Sequence, residues 1–352
     1  MDISREMPTS NDLPTPHELH VGLTYNLKHN LSSFPLDAEA EFDDDATIEA
    51  LQKVLEQNGC RVSLLEATED LVLSLSSLRP DIVFNIAEGT RGRGREAHVP
   101  AILSFLGIPF TGSDETTMAV AIDKALTKAL LVSQNISTPG FMLCRDCGDL
   151  SKASLSYPLI VKPNAEGSSK GISGSSIVHS PEALQRVIRE GVQNYRQEML
   201  IEEFISGREF TVGILGNGDA VRVFPPMEII FNHRQHLIYS YEVKRDFRQY
   251  ISYTCPPDLE DSVQTQMMEM ALKVYRLLSC RDMARVDFRL DEQSHPFLIE
   301  VNPLPGLAPG YSDYPMIAEF CGIPYQELII SILNCALKRY GMPPLVKETA
   351  QA

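Results

Sequence analysis

The amino-acid sequence predicts an α/β protein, in which an amino-terminal parallel sheet is followed by two modules that mix helices and strands. Apolar, strand-like runs alternate with amphipathic segments up to about residue 113, as in a parallel sheet covered by helices. Beyond that point, pairs of helices and pairs of strands replace the alternation. The 352 residues suggest two or three domains of roughly 100–200 residues each, and 43% hydrophobic with 22% charged residues is ordinary for a globular chain.

The elements of the amino-terminal module follow one another in a regular order. Apolar residues recur at helical spacing from Ile48 to Leu55 and Gly59 follows them, which predicts a helix over 46–58. The acidic stretch from Asp37 to Asp45 is interpreted as a solvated loop. The other strands are expected at 20–25, 60–66, 81–86 and 108–112, and the other helices at 68–78 and about 95–106.

The second and third modules are predicted to differ from the first. The second is expected to contain helices around 114–121 and 123–134 and strands at 139–144 and 157–163, and the third a long helix near 260–279 among strands. The predicted domains are 19–113, 114–205 and 206–345, between flexible tails at 1–18 and 346–352.

Composition narrows the possible functions. With 31 basic and 47 acidic side chains the net charge is −16, which argues against sequence-independent binding to nucleic acid. No apolar run reaches the roughly 18 residues that a bilayer requires, and the amino terminus lacks the order of a signal peptide. We therefore expect a soluble, cytoplasmic protein without a membrane partner. The seven cysteines, including a Cys144/Cys147 pair, are interpreted as structural or incidental thiols rather than as a metal or redox site.

The segment 284–303 carries the strongest chemical signal. Two apolar runs flank a polar turn at 291–296, which predicts a β-hairpin. Arg285 and Asp287 then share one face of the first strand, and Glu300 and Asn302 share one face of the second. Two carboxylates and an amide oxygen suit Mg²⁺. The alternative is a surface hairpin with ion pairs, but unpaired carboxylates would be costly within these apolar strands.

A loop rich in small residues follows the strand at 157–163. Lys162 ends that strand, and the loop 166–174 contains three glycines and three serines. Its backbone N–H groups and hydroxyls can fold over phosphates, while the lysine supplies a point charge. The alternative interpretation is a linker.

Two weaker signals complete the set. In the segment 200–215, Glu202 to Ile205 could offer backbone hydrogen bonds to a purine edge, and Glu209 could accept from ribose hydroxyls. Lys124 begins a predicted helix directly after Asp123. A lysine at such a position is usually exposed and has no special role.

Taken together and in this order, these segments resemble the ATP-grasp superfamily, most closely the D-alanine–D-alanine ligase family. The matching stretches are GIPFTGSDETTMAVAIDKALTKALL (107–131), PLIVKPNAEGSSKGISG (158–174), IEEFISGREFTVGIL (201–215), YEVK (241–244) and ARVDFRLDEQSHPFLIEVNPLPGL (284–307). The resemblance covers roughly residues 100–320. It implies an ATP-grasp fold of three domains, in which the second and third domains clamp ATP.

The resemblance also assigns roles to residues. Lys124 and Lys162 would contact phosphates under the loop that includes Glu166, Gly167, Ser168 and Ser169. Adenine would lie against Glu202, Glu203, Phe204 and Ile205, with the ribose at Glu209. Two Mg²⁺ ions, or Mn²⁺, would bind Asp287, Glu300 and Asn302. Arg285, Lys244 and Ser168 would be catalytic, and Glu88, Arg285, Gly306 and Ser312 would bind substrates.

The implied reaction is ligation of a carboxylate to an amine. ATP would phosphorylate the carboxylate, and an amine would then displace phosphate from the acyl phosphate. Positioning and charge neutralisation are what such a transfer requires, and closure of the loop would exclude water.

The region expected to bind the first substrate departs from the family pattern. The glycine-rich turn with its Glu-Arg-Glu signature is absent, Glu88 replaces a histidine, and Arg245 replaces the tyrosine after YEVK. Arg91, Arg93 and Arg95 add positive charge, which could favour a substrate with a second acid group or could pair with surface carboxylates. His98 is expected to be a helix residue.

These departures leave the substrates open. The favoured hypothesis is an ATP-dependent ligase that joins two amino acids, or an amino acid and a small carboxylic acid. The alternatives are D-alanine–D-alanine ligase itself and a non-catalytic ATP-binding regulatory protein. A homodimer is an expectation from the resemblance alone.

Overall fold

The computed structural model describes residues 18–29, 37–145, 154–232, 238, 240, 243 and 247–345. Residues 1–17 of the predicted tail at 1–18, the predicted tail at 346–352, the predicted catalytic Lys244, and Cys147 and Arg245 lie outside these residues.

The amino-terminal module is built on a parallel sheet of three strands, β1 (Leu19–Tyr25), β2 (Cys60–Glu66) and β3 (Ile82–Asn85), in the order β2-β1-β3. Its helices are α1 (Asp45–Gln57), α2 (Leu71–Leu78) and α3 (His98–Leu106). The predicted alternation is confirmed. The segment predicted as a strand at 108–112 contributes one parallel bridge, Val83 to Phe110, and a 3-10 turn, Arg95–Ala97, precedes α3.

The loops that follow β1 and β3 meet at the carboxyl edge of this sheet. The Gly89 N–H donates to Asn26 Oδ1 at 2.8 Å, which ties the two loops together. Gly89 has a φ of +72°, and a Cβ atom there would lie 2.2 Å from the Arg95 carbonyl oxygen. The loop after β3 therefore packs directly on the turn before α3. In open α/β sheets, ligands bind at this edge.

The central module contains an antiparallel sheet in the order β4-β7-β5-β6. Its strands are β4 (Phe141–Cys144), β5 (Leu159–Pro163), β6 (Ile177–Val178) and β7 (Met199–Glu203), and its helices are α4 (Glu115–Ile122), α5 (Lys124–Ser133) and α6 (Pro181–Tyr195). Asp114 and Asp123 cap the starts of α4 and α5 with their side chains.

The carboxy-terminal module contains a larger antiparallel sheet in the order β11-β10-β8-β12-β13, with β9 paired to β8. Its strands are β8 (Glu209–Leu215), β9 (Arg222–Val223), β10 (Met227–Phe231), β11 (Ile251–Thr254), β12 (Met283–Leu290) and β13 (Pro296–Asn302). Its helices are α7 (Phe247–Tyr250), α8 (Asp261–Leu277), α9 (Asp313–Phe320) and α10 (Tyr325–Arg339).

One apolar core spans the first and last modules. Val21 and Leu51 of the amino-terminal module pack in the same cluster as Ile329 and Leu333 of α10. In the part of the chain that the structure describes, no single helix is long and apolar enough to cross a membrane, although α9 and α10, bent by 107°, meet that test together. Leu328, Ile329, Ile332 and Leu333 of that pair are buried in the protein.

Candidate active site

Two cavities adjoin between the three sheets. The inter-sheet cavity lies between the central and carboxy-terminal sheets, and the acidic cavity lies between the carboxyl edge of the amino-terminal sheet and the loop after β13. Both are lined by the same residues where they meet: Lys124, Glu166, Ser168, Arg285 and Glu300. A ligand in either cavity can therefore contact these five residues.

The inter-sheet cavity gathers most of the residues predicted to bind nucleotide. Besides the five shared residues, it is lined by Lys162, Ser169, Glu202, Glu203, Phe204, Ile205, Glu209 and Asp287. Gly167, Asn302, Gly306 and Ser312 line the acidic cavity instead, together with Glu88. The structure thus brings the predicted site residues into two adjoining groups.

Glu202 is buried between two lysines. Its Oε1 lies 3.1 Å from Lys162 Nζ and 3.2 Å from Lys128 Nζ. Burial alone would raise the pKa of this carboxyl, but the two ammonium groups outweigh burial and lower the pKa. Burial lowers the pKa of Lys128 to about 8, against the opposing attraction of Glu202. Sequence reasoning missed Lys128, although it lies one helical turn after Lys124.

A buried arginine lies at the other end of the inter-sheet cavity. Arg289 Nη1 is 2.7 Å from Glu209 Oε2, and its guanidinium carbon is 4.8 Å from the centroid of the Phe204 ring. Burial raises the pKa of Glu209, and Arg289 opposes that rise. Arg289 is not among the residues predicted from the sequence, although Arg285, Asp287 and Arg289 alternate along β12 and so share a face.

The backbone between Glu203 and Ile205 is partly engaged within the protein. The Glu203 N–H donates to the Gly140 carbonyl and the Phe204 N–H donates to the Pro158 carbonyl, each at 2.9 Å. These two amides are therefore not open to a purine.

The predicted hairpin is confirmed, and its register places the charged side chains together. Asp287 lies opposite Glu300, and Arg285 lies opposite Asn302. The Asp287 carboxylate accepts from Arg285 Nε at 3.0 Å, from Thr211 Oγ1 at 2.8 Å and from Asn302 Nδ2 at 2.9 Å. Burial lowers the pKa of Arg285, but Asp287 and Asp313 outweigh it and hold that pKa above its ordinary value.

The donor set of the hairpin fits a hard cation. Asp287 and Glu300 are only partly covered, so both carboxylates can be reached from the cavities, and Asn302 adds an amide oxygen. No cluster of three His, Cys, Asp or Glu side chains that could hold a metal occurs within the described ranges. Two carboxylates and one amide would leave coordination positions for phosphate oxygens and water.

The glycine- and serine-rich loop folds back toward the site. Lys124 Nζ donates to the Glu166 carbonyl, and Lys170 Nζ pairs with Glu166 Oε2 at 2.9 Å. Gly171 has a φ of +76°, and a Cβ atom there would lie 2.5 Å from Pro163 Cγ, so only glycine fits this turn. Residues of this loop line both cavities.

The acidic segment 37–45 corrects one prediction. Its composition predicts a solvated loop, but Asp37 and Glu41 are only 7% and 8% exposed. Asp37 accepts from the Gly171 N–H at 2.6 Å and from the Tyr195 hydroxyl at 3.0 Å. Glu41 accepts from the Gly167 N–H. The two carboxylates thus bind the loop 166–174, called the Gly/Ser loop below. They accept hydrogen bonds from backbone N–H groups that would otherwise lack acceptors.

The three arginines suggested for a second acid group are placed differently. Arg95 is buried and pairs with Glu41 and with Glu166. Arg93 pairs with Asp123 while 67% of its side chain is exposed, and Arg91 is exposed. The interpretation of paired arginines is correct for Arg93 and Arg95, although the Arg95 pairs lie in the interior. His98 is exposed at the first position of α3, as predicted.

Three carboxyl groups of the acidic cavity make no side-chain hydrogen bond or ion pair with any described residue, although Lys28 attracts Asp43, and Arg95 attracts Glu88 and Glu96. Glu88, predicted to bind substrate, has no hydrogen bond or ion pair with any described residue, and burial raises its pKa well above the usual range, with Glu96 adding to the rise. Burial also raises the pKa of Glu96 to about 8 and that of Asp43 to about 7. Ser312 Oγ accepts from the Ala308 N–H at 3.2 Å and lies beside Gly306. Glu96 and Asp43 were not predicted as site residues, because their burial depends on how the surrounding loops pack in the folded chain.

Comparison with known proteins agrees with this geometry. Residues 141–334 match the family described as the D-ala D-ala ligase C-terminus. A D-alanine–D-alanine ligase of Bordetella petrii is 32% identical over 81% of this chain and 85% of its own length. A Sinorhizobium fredii protein described as uncharacterized is 35% identical over 84% of this chain and 88% of its own.

The fold agrees as well. The crystal structure of D-alanine–D-alanine ligase from Bacillus anthracis, complexed with ATP, superimposes with a TM-score of 0.72 at 23% identity, over 92% of this chain and 99% of that one. The predicted α/β ATP-grasp fold and the predicted enzyme class, a ligase that forms carbon–nitrogen bonds, are confirmed. The chain therefore belongs to the D-alanine–D-alanine ligase family.

Proposed function

We propose that the chain is an ATP-dependent ligase that joins two amino acids, or an amino acid and a small carboxylic acid, through an acyl phosphate. The observation that carries this proposal is the shared wall between the two cavities. A nucleotide in the inter-sheet cavity would direct its terminal phosphate past Lys124 and Arg285. A carboxylate in the acidic cavity would approach the same side chains from the other side.

The proposed nucleotide contacts follow the lining of the inter-sheet cavity. The purine would lie near Phe204 and Ile205, the ribose near Glu209, and the phosphates between Lys162 and the Gly/Ser loop. Asp287, Glu300 and Asn302 would hold Mg²⁺, which when bound neutralises phosphate charge. Lys124 lies 3.7 Å from Glu300 and would stay beside the transferring phosphate.

The proposed reaction needs no reactant besides ATP, the carboxylate substrate and the amine substrate. The substrate carboxylate oxygen would bond to the γ-phosphorus as the bond to ADP breaks. The amine nitrogen would then bond to the acyl carbon as the bond from that carbon to the phosphate oxygen breaks. The ammonium of the second substrate would lose two protons, one to solvent and one to the leaving phosphate. Arg285 would stabilise charge on the transferring group and on the tetrahedral species. The Gly/Ser loop, which Asp37 and Glu41 hold over the site, would keep water from the acyl phosphate.

The domain boundaries, location and assembly belong to the same proposal. The residues 19–113, 114–205 and 206–345 would form three domains around the two cavities. The enzyme would act in the cytoplasm, where ATP is available, and would form a homodimer.

D-alanine–D-alanine ligation is the second candidate for the activity. It is favoured by the Bordetella petrii relative, which carries that name and is matched over most of both chains. The absence of the family's first-substrate signature from this sequence favours the broader proposal.

The test is release of ADP and phosphate from ATP and Mg²⁺ with a panel of D- and L-amino acids, followed by the mass of each product. We expect amino-acid-dependent release and a product heavier than its substrates by the amide-forming condensation. Turnover with D-alanine alone would favour the second candidate. No turnover with any pair would refute the ligase proposal.

A single substitution tests the role given to the metal. Glu300→Gln keeps the size of the side chain but removes one carboxylate, so we expect turnover to fall by about 100-fold or more, with an unchanged unfolding transition. Glu292→Gln, at an exposed position of the hairpin turn, is the control. Normal turnover of the Glu300 variant would contradict the metal role.

A further inference from the structure

Two cysteine side chains contact each other beside the edge of the carboxy-terminal sheet. Cys255 directly follows the edge strand β11, and Cys321 directly follows α9. Their thiols form a hydrogen bond, and both residues pack against the apolar core that the first and last modules share. Cys255 Sγ also lies 3.7 Å from the Pro225 carbonyl oxygen. The fold therefore brings together two thiols that are far apart in the sequence.

The pair can be reached from solvent. Cys255 and Cys321 are both free and only partly buried, whereas the free cysteines 60, 144 and 280 are buried. A small, water-soluble oxidant can therefore meet the two thiols together, while the fold covers these three other thiols.

A thiol–thiol contact is what a disulfide requires. The bond needs sulfur atoms about 2.05 Å apart, so it forms without large backbone movement only between side chains that already meet. The hydrogen bond between the two thiols shows that they meet. We propose that Cys255 and Cys321 are a redox-modification site, at which a peroxide converts the two thiols into one reversible disulfide. The disulfide would form whether or not the chain is a ligase.

The two thiols would have different roles in this reaction. Burial raises the pKa of Cys255 to about 12, and the neighbouring Cys321 adds to the rise. Burial also raises the pKa of Cys321, but there the hydrogen bond with Cys255 and the positive charge of Arg222 oppose the rise. Because the thiolate is the nucleophile, Cys321 would attack the oxidant and Cys255 would complete the bond.

The oxidation can be written with hydrogen peroxide as the oxidant. The Cys321 sulfur would bond to one peroxide oxygen as the O–O bond breaks, and the departing hydroxide would take the Cys321 proton to become water. The Cys255 sulfur would then bond to the Cys321 sulfur as the S–O bond of the sulfenic acid breaks, and a second water would leave with the Cys255 proton. Two thiols thus lose two protons and two electrons, which the peroxide gains. Thiol reductants would reverse the bond by exchange.

The disulfide would connect β11 to the carboxyl end of α9. The amino end of α9 is already held to the same strand, because the Tyr253 hydroxyl donates to Asp313 Oδ1 at 3.1 Å. The new bond would close a loop of more than 60 residues, which restricts the unfolded chain. We therefore expect oxidation to raise the thermal unfolding midpoint by about 3 °C or more.

The test treats the full, previously reduced chain with hydrogen peroxide at low protein concentration and maps its peptides by mass spectrometry. We expect peptides joined through Cys255 and Cys321 within one chain, with the mass of the two free peptides less two hydrogen atoms. Dithiothreitol should separate them and return the unfolding midpoint to that of the reduced chain. Absence of this linked pair, or linkage found only between chains, would overturn the inference.

Single variants separate the roles of the two thiols. In Cys255→Ser, oxidation of Cys321 should stop at the sulfenic acid, which dimedone captures, whereas in Cys321→Ser the capture at Cys255 should be slower by about tenfold or more. Cys335→Ser, at another free and partly buried cysteine, is the control and should form the disulfide as the parent does. Equal capture rates in the two variants would contradict the assignment of the attacking thiol. Mapping of the parent chain needs no variant, so it decides the proposal even where a serine disturbs packing.

Discussion

Between pH 4.5 and about 8, the Glu96 carboxyl keeps its proton in the folded chain, whereas an unfolded chain would release it. The folded-state pKa is raised, so the free energy of unfolding falls as pH increases through this window. Glu96→Gln removes the ionisation. We expect the variant to be more stable than the parent by about 1–3 kcal/mol at pH 8 and nearly equal at pH 5.

Urea unfolding at several pH values measures this difference. Glu269→Gln, at an exposed position of α8, is the control, because an exposed carboxyl should change stability by less than about 0.5 kcal/mol. A stability difference that does not depend on pH would contradict the protonated state of Glu96.

Glu202 and its two lysines allow a second prediction at single residues. Lys128→Met leaves the buried carboxylate with Lys162 alone, and we expect the free energy of unfolding to fall by about 1–3 kcal/mol. Adding Glu202→Gln should recover part of that loss, because the remaining charge is then removed. Lys53→Met, at an exposed position of α1, should have little effect. Additive losses in the double variant would show that the two side chains are not coupled.

Among the elements, the hairpin β12–β13 and the segment 37–45 show what the sequence can and cannot reveal. The hairpin is local, and its alternation of apolar and polar residues determined which side chains share a face. The segment 37–45 is acidic, and composition alone favoured a solvated loop. Its burial depends on contacts with Gly167 and Gly171, more than 120 residues away, and no local pattern reports such contacts.

The same limit explains the residues of the site that were missed. Lys128 and Arg289 lie on predicted elements, but their burial follows from how the sheets pack. The acidic cavity requires three separate loops to meet. The pairing of Arg95 with Glu41 and Glu166 likewise joins distant segments, so the sequence could not distinguish it from a substrate contact.

The hydrogen bonds between the acidic segment 37–45 and the Gly/Ser loop allow a prediction about these two elements. Glu41→Gln weakens the acceptor of the Gly167 N–H and leaves Arg95 with fewer negative partners. A charge-assisted hydrogen bond contributes about 1.5–3 kcal/mol, so we expect hydrogen exchange in a peptide spanning 164–174 to quicken about tenfold or more. Glu49→Gln on the exposed side of α1 should leave exchange unchanged. Unaltered exchange in the Glu41 variant would show that the loop is held by other contacts.

Across the whole molecule, α10 connects the carboxy-terminal module to the amino-terminal sheet through one buried acid. Asp282 is fully buried and accepts from Arg339 Nη2 at 2.6 Å and from the Gly112 N–H at 2.8 Å. Arg339 also donates to the Phe110 carbonyl at 2.8 Å. The first and last modules are thus held by polar contacts beside their shared apolar core.

Arg339→Met tests this connection. It would leave Asp282 buried without its cation, and breaking a buried pair costs about 3–5 kcal/mol. We expect the free energy of unfolding to fall by that amount. The Gly112 N–H and the Asn217 side-chain amide also donate to Asp282, but they cannot replace a full positive charge. Arg276→Met, at an exposed position of α8, controls for the loss of one cation. Adding Asp282→Asn to Arg339→Met should restore part of the stability, and equal losses in the two arginine variants would contradict the role of this pair in joining the modules.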